Sequence, residues 1–437
     1  LRPTPGLLRR ATLGAGPIRG MLVAGGFLWV VSGAAVYRVS PTFGTKQVGV
    51  LSTPVGAVAM ASNGLQVLMV DGSFGYVLTL ATEAVEKIAD VDFPLGVTSC
   101  TYIDGYFIVT GNGTGQFYWS TLLDGSDWNG LDFASAEGAP DAAVACIADH
   151  RELWIFGENT TEVFLNTGDA AQPFERAGNA FIEHGCASPW SVAKLDNTVF
   201  WLGTDDRGEG TVWRAAGYSP QRISTYAIER AIASYGSIAD AVAYTYQDQG
   251  HDFYMLNFPT GETTWCYDAA VGEWHERCYR DPLSGALNRH RGQVQAFYGR
   301  RQVLGDWQDG RLYSLEHDVA TDDGATILRL RSTQAASDLD AMNRVFYGRF
   351  EVDLEKGQGN TVDPGADPIM LMRYSNDGGY TWSNAREARM GRAGEYRTRC
   401  KWERCGSGRS RVWEVSWTDP VVSALFGATA HAEVGDA

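Results

Sequence analysis

Residues 17–53 hold four short runs in succession: PIRGMLVAG (17–25), FLWVVSG (27–33), AVYRVSP (35–41) and KQVGVLST (46–53). Each is of strand length, lacks a 3.6-residue apolar stripe, and is cut off by glycine or by Ser-Pro. Together they predict a four-stranded meander. The pattern then returns with drift, as in VAMASNG, LQVLMVDG, FGYVLTL and VEKIADV (58–91), and in HDFYMLNF, ETTWCYD and EWHERCY (251–279). Seven such units fit between Met21 and Leu315. The turn before the second run falls at Gly26, Gly64, Gly105, Arg151, Asn197, Gly250 and Arg300, in steps of 38, 41, 46, 46, 53 and 50 residues. Four strands at a period near 45 describe a propeller blade.

Seven blades of that period occupy about three quarters of the 437 residues. The expected organisation is therefore all-β: a seven-bladed β-propeller over 1–325, then a C-terminal β-sandwich-like domain over 326–437. The runs VFYGRFEVDLE, PIMLMRYS, YRTRCKWERC, RVWEVSW and VVSALFGA would build that second domain, because strands apolar on one face need a covering layer. Closure of the ring is expected from a strand near Leu7–Leu13 pairing beside Arg311–Glu316, which removes the open edges of the first and last blades. The one candidate helix is short, Tyr226–Tyr235.

Gly20–Tyr37 is uncharged and follows Arg9, Arg10 and Arg19, as a membrane segment would. Its four glycines and the Gly25-Gly26 turn favour two strands instead, so no membrane anchor is expected. The chain starts at Leu1 rather than Met, which points to a further segment upstream. Seven scattered cysteines, Cys400 and Cys405 of CKWERC among them, fit buried thiols and a reducing cytoplasm better than a disulfide framework or a zinc site.

Charge is unevenly divided. Residues 1–325 hold 21 Lys and Arg against 37 Asp and Glu, so the whole net charge of −16 lies there; residues 326–437 hold 15 of each. Such acidity argues against wrapping nucleic acid by phosphate neutralisation. Within the tail, Arg386, Arg389, Arg392, Arg397, Arg399, Lys401, Arg404, Arg409 and Arg411 form a basic strip with three acids. The strip is either a solvated strand face or a docking surface for an acidic partner.

Ser375-Asn376-Asp377-Gly378-Gly379-Tyr380-Thr381-Trp382 matches the Asp-box pattern, with Ser375, Asp377, Gly379, Thr381 and Trp382 at the defining positions. Asp377 is expected to accept backbone N–H bonds in a hairpin turn, with Trp382 packed beneath. Asp boxes resemble those of sialidases, where they recur on outer turns away from catalysis; a single copy outside the propeller reads as a structural turn. No catalytic, metal or cofactor constellation emerges. Gly185–Trp190 brings Cys186 and Ser188 near His184 without a base held by a third group. Asp205-Asp206 and Asp322-Asp323 sit in Gly-rich turns, where aspartate serves geometry.

The stretch from Arg373 to Ala428, together with DHRELWIFGENTTEVFLNTGDAAQPFER (149–176), AFIEHGCASPWSVAKLDNTVFWLG (180–203) and DFASAEGAPD (132–141), resembles the packaged-DNA stabilization proteins of short-tailed bacteriophages. That resemblance covers nearly the whole chain. It implies a virion tail hub or nozzle, assembled in the host cytoplasm as a homo-hexamer below the portal and its adaptor protein. Tail fibre or tailspike proteins and a tail needle or plug would be its neighbours, and DNA would pass through its channel without specific binding. Retention of the genome until ejection, without enzymatic activity, is the implied role. The alternative is a carbohydrate-binding or sialidase-like propeller.

Overall fold

The computed structural model describes residues 2–136, 138–204, 207–337 and 343–435. Two compact units are present: one comprises 9–279 and 287–314, the other 1–8, 280–286 and 315–437.

The first unit holds nearly all of the propeller. Blade 1 orders Ile18–Ala24, Phe27–Ser32, Ala35–Val39 and Thr45–Val50 from inner to outer strand, and blades 2 to 5 repeat this consecutive four-strand order. Blade 6 adds Leu287–Arg289 as a fifth strand. Blade 7 departs from consecutive order: Gly292–Tyr298, Arg301–Asp306 and Arg311–Glu316 are followed by Gly6–Thr12, as the closure argument expected. Leu13 N–H donates to Gly310 O at 2.6 Å, and Arg10 Nε to Ser314 Oγ at 2.7 Å.

One turn type recurs at the first hairpin of six blades. Gly25-Gly26, Asp104-Gly105, His150-Arg151, Asp196-Asn197, Gln249-Gly250 and Gly299-Arg300 all place both residues at positive φ, between 46° and 99°. This two-residue turn matches the twist of its flanking strands. His150, Arg151 and Arg300 meet its geometry without glycine, at a cost of about 1–2 kcal/mol per residue. Blade 2 differs: Asn63 Oδ1 accepts from Leu65 and Gln66 N–H at 2.8 and 2.6 Å instead.

Six apolar clusters fill the joints between successive blades from 1 to 6 and between 7 and 1, for example Trp29, Val31 and Val36 against Val67, Met69 and Leu78. Near the joint between blades 6 and 7 lies a buried polar group, most of it within blade 7. Arg291 Nε donates to Asp306 at 2.8 Å, Tyr313 OH to the same carboxylate at 2.6 Å, and His290 Nδ1 lies 3.4 Å from Tyr244 OH. Burial beside Arg277 and Arg291 pushes the His290 imidazole down to about 3, so it is neutral.

The uncharged stretch from Gly20 to Tyr37 runs through three strands joined by two turns, and no helix among the described residues is long and apolar enough to cross a membrane. The helix runs Tyr226–Ala233, with Ile228 and Ile232 buried one turn apart. All seven cysteines are thiols, five of them buried, with Cys100 and Cys278 half-buried.

The second unit contains a sandwich of two antiparallel sheets. One orders Arg329–Ser332, Ser410–Trp417, Ile369–Ser375 and Arg386–Arg389; in the other Val345–Leu354 pairs with Cys400–Glu403, Ser407–Gly408 and Leu425–Val434. Between them lie Tyr347, Phe350 and Val352 from one sheet and Met370, Met372, Trp413 and Val415 from the other. Phe350 stacks on Trp413 with centroids 4.3 Å apart. Two of the expected runs shift. Only Cys400–Glu403 of YRTRCKWERC is strand, and the last strand begins at Leu425 and continues to Val434 instead of spanning VVSALFGA.

Candidate interface on the C-terminal sandwich

The Asp box occupies the connection between Ile369–Ser375 and Arg386–Arg389, an antiparallel hairpin. Thr381 donates to Asp377 twice, from N–H at 2.9 Å and from Oγ1 at 2.5 Å, and Ser375 Oγ donates to Asp377 Oδ1 at 2.6 Å. Gly379, at φ 101°, donates N–H to Ser375 Oγ at 2.9 Å. Hydrogen bonds from Ser375 and Thr381 hold the Asp377 carboxyl down to about 2, well below the usual carboxylate range. These polar atoms are engaged inside the loop. Trp382 is half-buried rather than sealed beneath the turn: the Arg373 guanidinium covers its ring at 4.6 Å and in turn pairs with Glu414.

The neighbouring Asn376 leads to Arg411, a member of the basic strip that has no exposed surface. Its Nε donates to Asn376 Oδ1 at 2.9 Å, Nη1 to Cys405 O at 2.5 Å and Nη2 to Ser407 O at 2.9 Å. The guanidinium also lies 4.0 Å from the ring centroid of Tyr374 and 4.4 Å from that of Tyr347. Arg411 is therefore a core tie between the sheets, and its assignment to an interface is corrected: strand alternation puts it on the face of Trp413, Val415 and Trp417.

The rest of the strip is divided among local partners. Arg386 Nη2 donates to Glu403 O at 2.7 Å, Arg389 and Arg392 share Asp367 at 2.8 and 3.0 Å, and Arg399 grips Glu351 with two nitrogens at 2.8 and 2.5 Å. Lys401 pairs with Glu403 at 2.9 Å. Arg397, Arg404 and Arg409 are exposed. The structure thus ties most of the strip to neighbouring segments, although Arg389, Arg392, Arg399 and Lys401 stay exposed beside their carboxylate partners.

At another edge of the sandwich, Leu425–Val434 pairs with Val345–Leu354 and is exposed along nine of its ten residues. A recess of about 740 Å³ opens beside its end, lined by Phe346, Tyr347, Ser407, His431, Ala432 and Glu433. Sequence reasoning missed this strand beyond Ala428 because alanine carries little apolar signal. The alternation was nevertheless present: Ala428, Ala430, Ala432 and Val434 against Gly427, Thr429, His431 and Glu433.

Other sequence candidates take structural places. Cys186 is buried, its thiol pushed up to about 11 by that burial, and lies 3.0 Å from Ser188 O; the His184 ring stacks on Trp213 at 3.9 Å. Asp322 is buried, and Asp323 sits in a turn at φ 51°. Asp205-Asp206 lies outside the described residues. Among the described residues no group of three or more His, Cys, Asp or Glu is arranged to hold a metal.

A comparison with curated proteins finds no match. Similar solved structures include the extracellular domain of a one-component system from B. thetaiotaomicron (TM-score 0.48, 11% identity), of which the chain, aligned over 88% of its length, covers 48%. Streptogramin B lyase (0.46, 9%, 70% of this chain and 97% of that one) and the N-terminal domain of Nup159 (0.44, 10%, 72% and 94%) are others. The chain thus spans about half the length of the first of these. Family models match along nearly the full length: the β-propeller of bacteriophage P22 Gp10 over residues 1–320 and the β-sandwich of the same protein over 333–433. The chain belongs to the bacteriophage P22 Gp10 family, the tail hub and stabilisation proteins of short-tailed phages.

Proposed function

We propose that this structural tail protein assembles as a ring of six copies below the portal and its adaptor, extends the DNA channel and retains the packaged genome until ejection. The observation that carries this reading is membership of the family through both domains, propeller and sandwich alike. Charge supports it: the propeller holds the whole −16, and a like-charged wall lets DNA slide where Lys and Arg would hold it. The sandwich, neutral in sum and carrying the exposed Arg397 and Arg404, suits contact with an acidic neighbour. The role is mechanical, with no reaction assigned to it. No observation favours the carbohydrate reading, since the Asp-box oxygens are spent on their own loop.

The test is a phage lacking this gene product. Its particles are expected to package DNA to full length and then lose it, and purified virions carrying the protein should show it as a six-fold ring by electron cryo-microscopy. A particle that kept its genome without the protein would overturn the retaining role.

A further inference from the structure

The strand Leu425–Val434 has the pattern of a strand buried on one face, yet it is open to solvent. Its register places Ala428 opposite Val352, Ala430 opposite Phe350, Ala432 opposite Tyr347 and Val434 opposite Val345. Residues opposite each other share a face of the sheet, so these four continue the core face of Val345–Leu354. Their partners are at most 6% exposed, whereas Val434 is 57% exposed and the three alanines are exposed as well. The other face is polar: Gly427, Thr429, His431 and Glu433 lie opposite Asp353, Glu351, Arg349 and Phe346.

The free edge is equally undefended. Edge strands usually carry lysine, proline or inward charge that blocks further pairing. None of these lies between Leu425 and Val434. The far edge of the same sheet, at Cys400–Glu403, is defended by contrast: it carries Lys401, and its Glu403 O already accepts from Arg386 Nη2 at 2.7 Å. The undefended edge of the sheet is therefore that of Leu425–Val434, and an edge that grows once pairs most simply with itself.

We infer that the end of this strand, Ala430–Val434, pairs antiparallel with the same segment of a second copy of this chain, about a two-fold axis at Ala432. In that register Ala430 of each copy faces Val434 of the other, and His431 of each faces Glu433 of the other. Apolar meets apolar, and base meets acid. Arg349 Nη2 donates to His431 Nε2 at 3.1 Å, which leaves the imidazole proton on Nδ1 to donate to the facing carboxylate. A one-residue slip mixes the two faces. Centring the axis on His431 or Ala430 keeps the faces but parts the imidazole from the carboxylate. The alanines allow close approach of a covering layer. Such a contact closes with two copies and differs from the head-to-tail contact of a ring, so it stands independently of the proposed hexamer.

The full chain, purified without other virion proteins, should sediment as a dimer at about 10 µM and dissociate at least tenfold more readily after Glu433→Lys, which removes the acceptor for His431 Nδ1–H and sets a donor against a donor. Ala432→Cys should form a disulfide-linked dimer under mild oxidation far faster than Thr429→Cys, whose sulfurs this register keeps apart. Both positions are exposed and leave the core intact, so retained β-sheet circular dichroism is expected in each variant. A monomer at that concentration, or equal crosslinking at 429 and 432, would overturn the pairing.

Discussion

Arg411 shows how a charged residue can belong to a core. Its guanidinium replaces water with two backbone carbonyls, an amide oxygen and aromatic faces, the satisfaction that a buried charge requires. Among the described residues no carboxylate pairs with it. Replacing it by methionine keeps volume but strands the carbonyls of Cys405 and Ser407, and unpaired buried acceptors cost about 1–3 kcal/mol each. Arg411→Met is expected to destabilise the sandwich by roughly 3 kcal/mol, read as a fall in the denaturation midpoint. Arg397→Met, at an exposed position, should change stability by less than about 0.5 kcal/mol. Equal effects would refute the core role. The distinction was legible in the alternation of Arg411 with Trp413, Val415 and Trp417, but counting charge along Arg386–Arg411 hides it.

At the scale of elements, legibility followed burial. Inner blade strands such as Phe27–Ser32 and Thr198–Thr204 are covered on both faces and appear in sequence as unbroken apolar runs. Outer strands such as Trp128–Ser135 and Ser219–Arg222 are half exposed, so their composition approaches that of loops. The same reason hid Arg329–Ser332 and Arg386–Arg389 in the sandwich. The closing strand was recoverable because a ring topology demands it. Its removal tests that demand. A chain beginning at Gly14 loses the strand Gly6–Thr12 and the bond from Leu13 to Gly310 O, leaving Arg311–Glu316 as a bare edge. Amide exchange across 311–316 should then rise at least a hundredfold, about 2.7 kcal/mol of lost protection at 1.36 kcal/mol per decade. Unchanged exchange there would mean that the strand does not hold the ring shut.

Across the whole molecule, the acidity has a local origin. Among the described residues of 1–325, strands hold 14 Asp and Glu against 15 Lys and Arg, whereas turns, loops and the helix hold 20 against 6. The negative charge of the propeller is therefore carried by its connections. Many of these acids are there for turn geometry: Asp124 accepts from Ser126 N–H at 2.9 Å, Asp169 from Ala171 at 2.8 Å, Asp240 from Thr260 at 2.9 Å and Asp281 from Ser284 at 2.7 Å. Asparagine can accept the same bonds through its amide oxygen. Changing these four aspartates to asparagine removes four negative charges from the −16 of each copy and keeps the turns, so charge can be varied apart from fold. If like-charged walls let DNA slide, virions carrying the quadruple variant should release DNA more slowly than wild type at 10 mM salt, where the screening length is about 30 Å. At 150 mM salt, with screening at about 8 Å, the two rates should converge. Equal rates at both salt concentrations, with rings intact by microscopy, would show that the acidity of the propeller is a by-product of its turns and has no part in moving DNA.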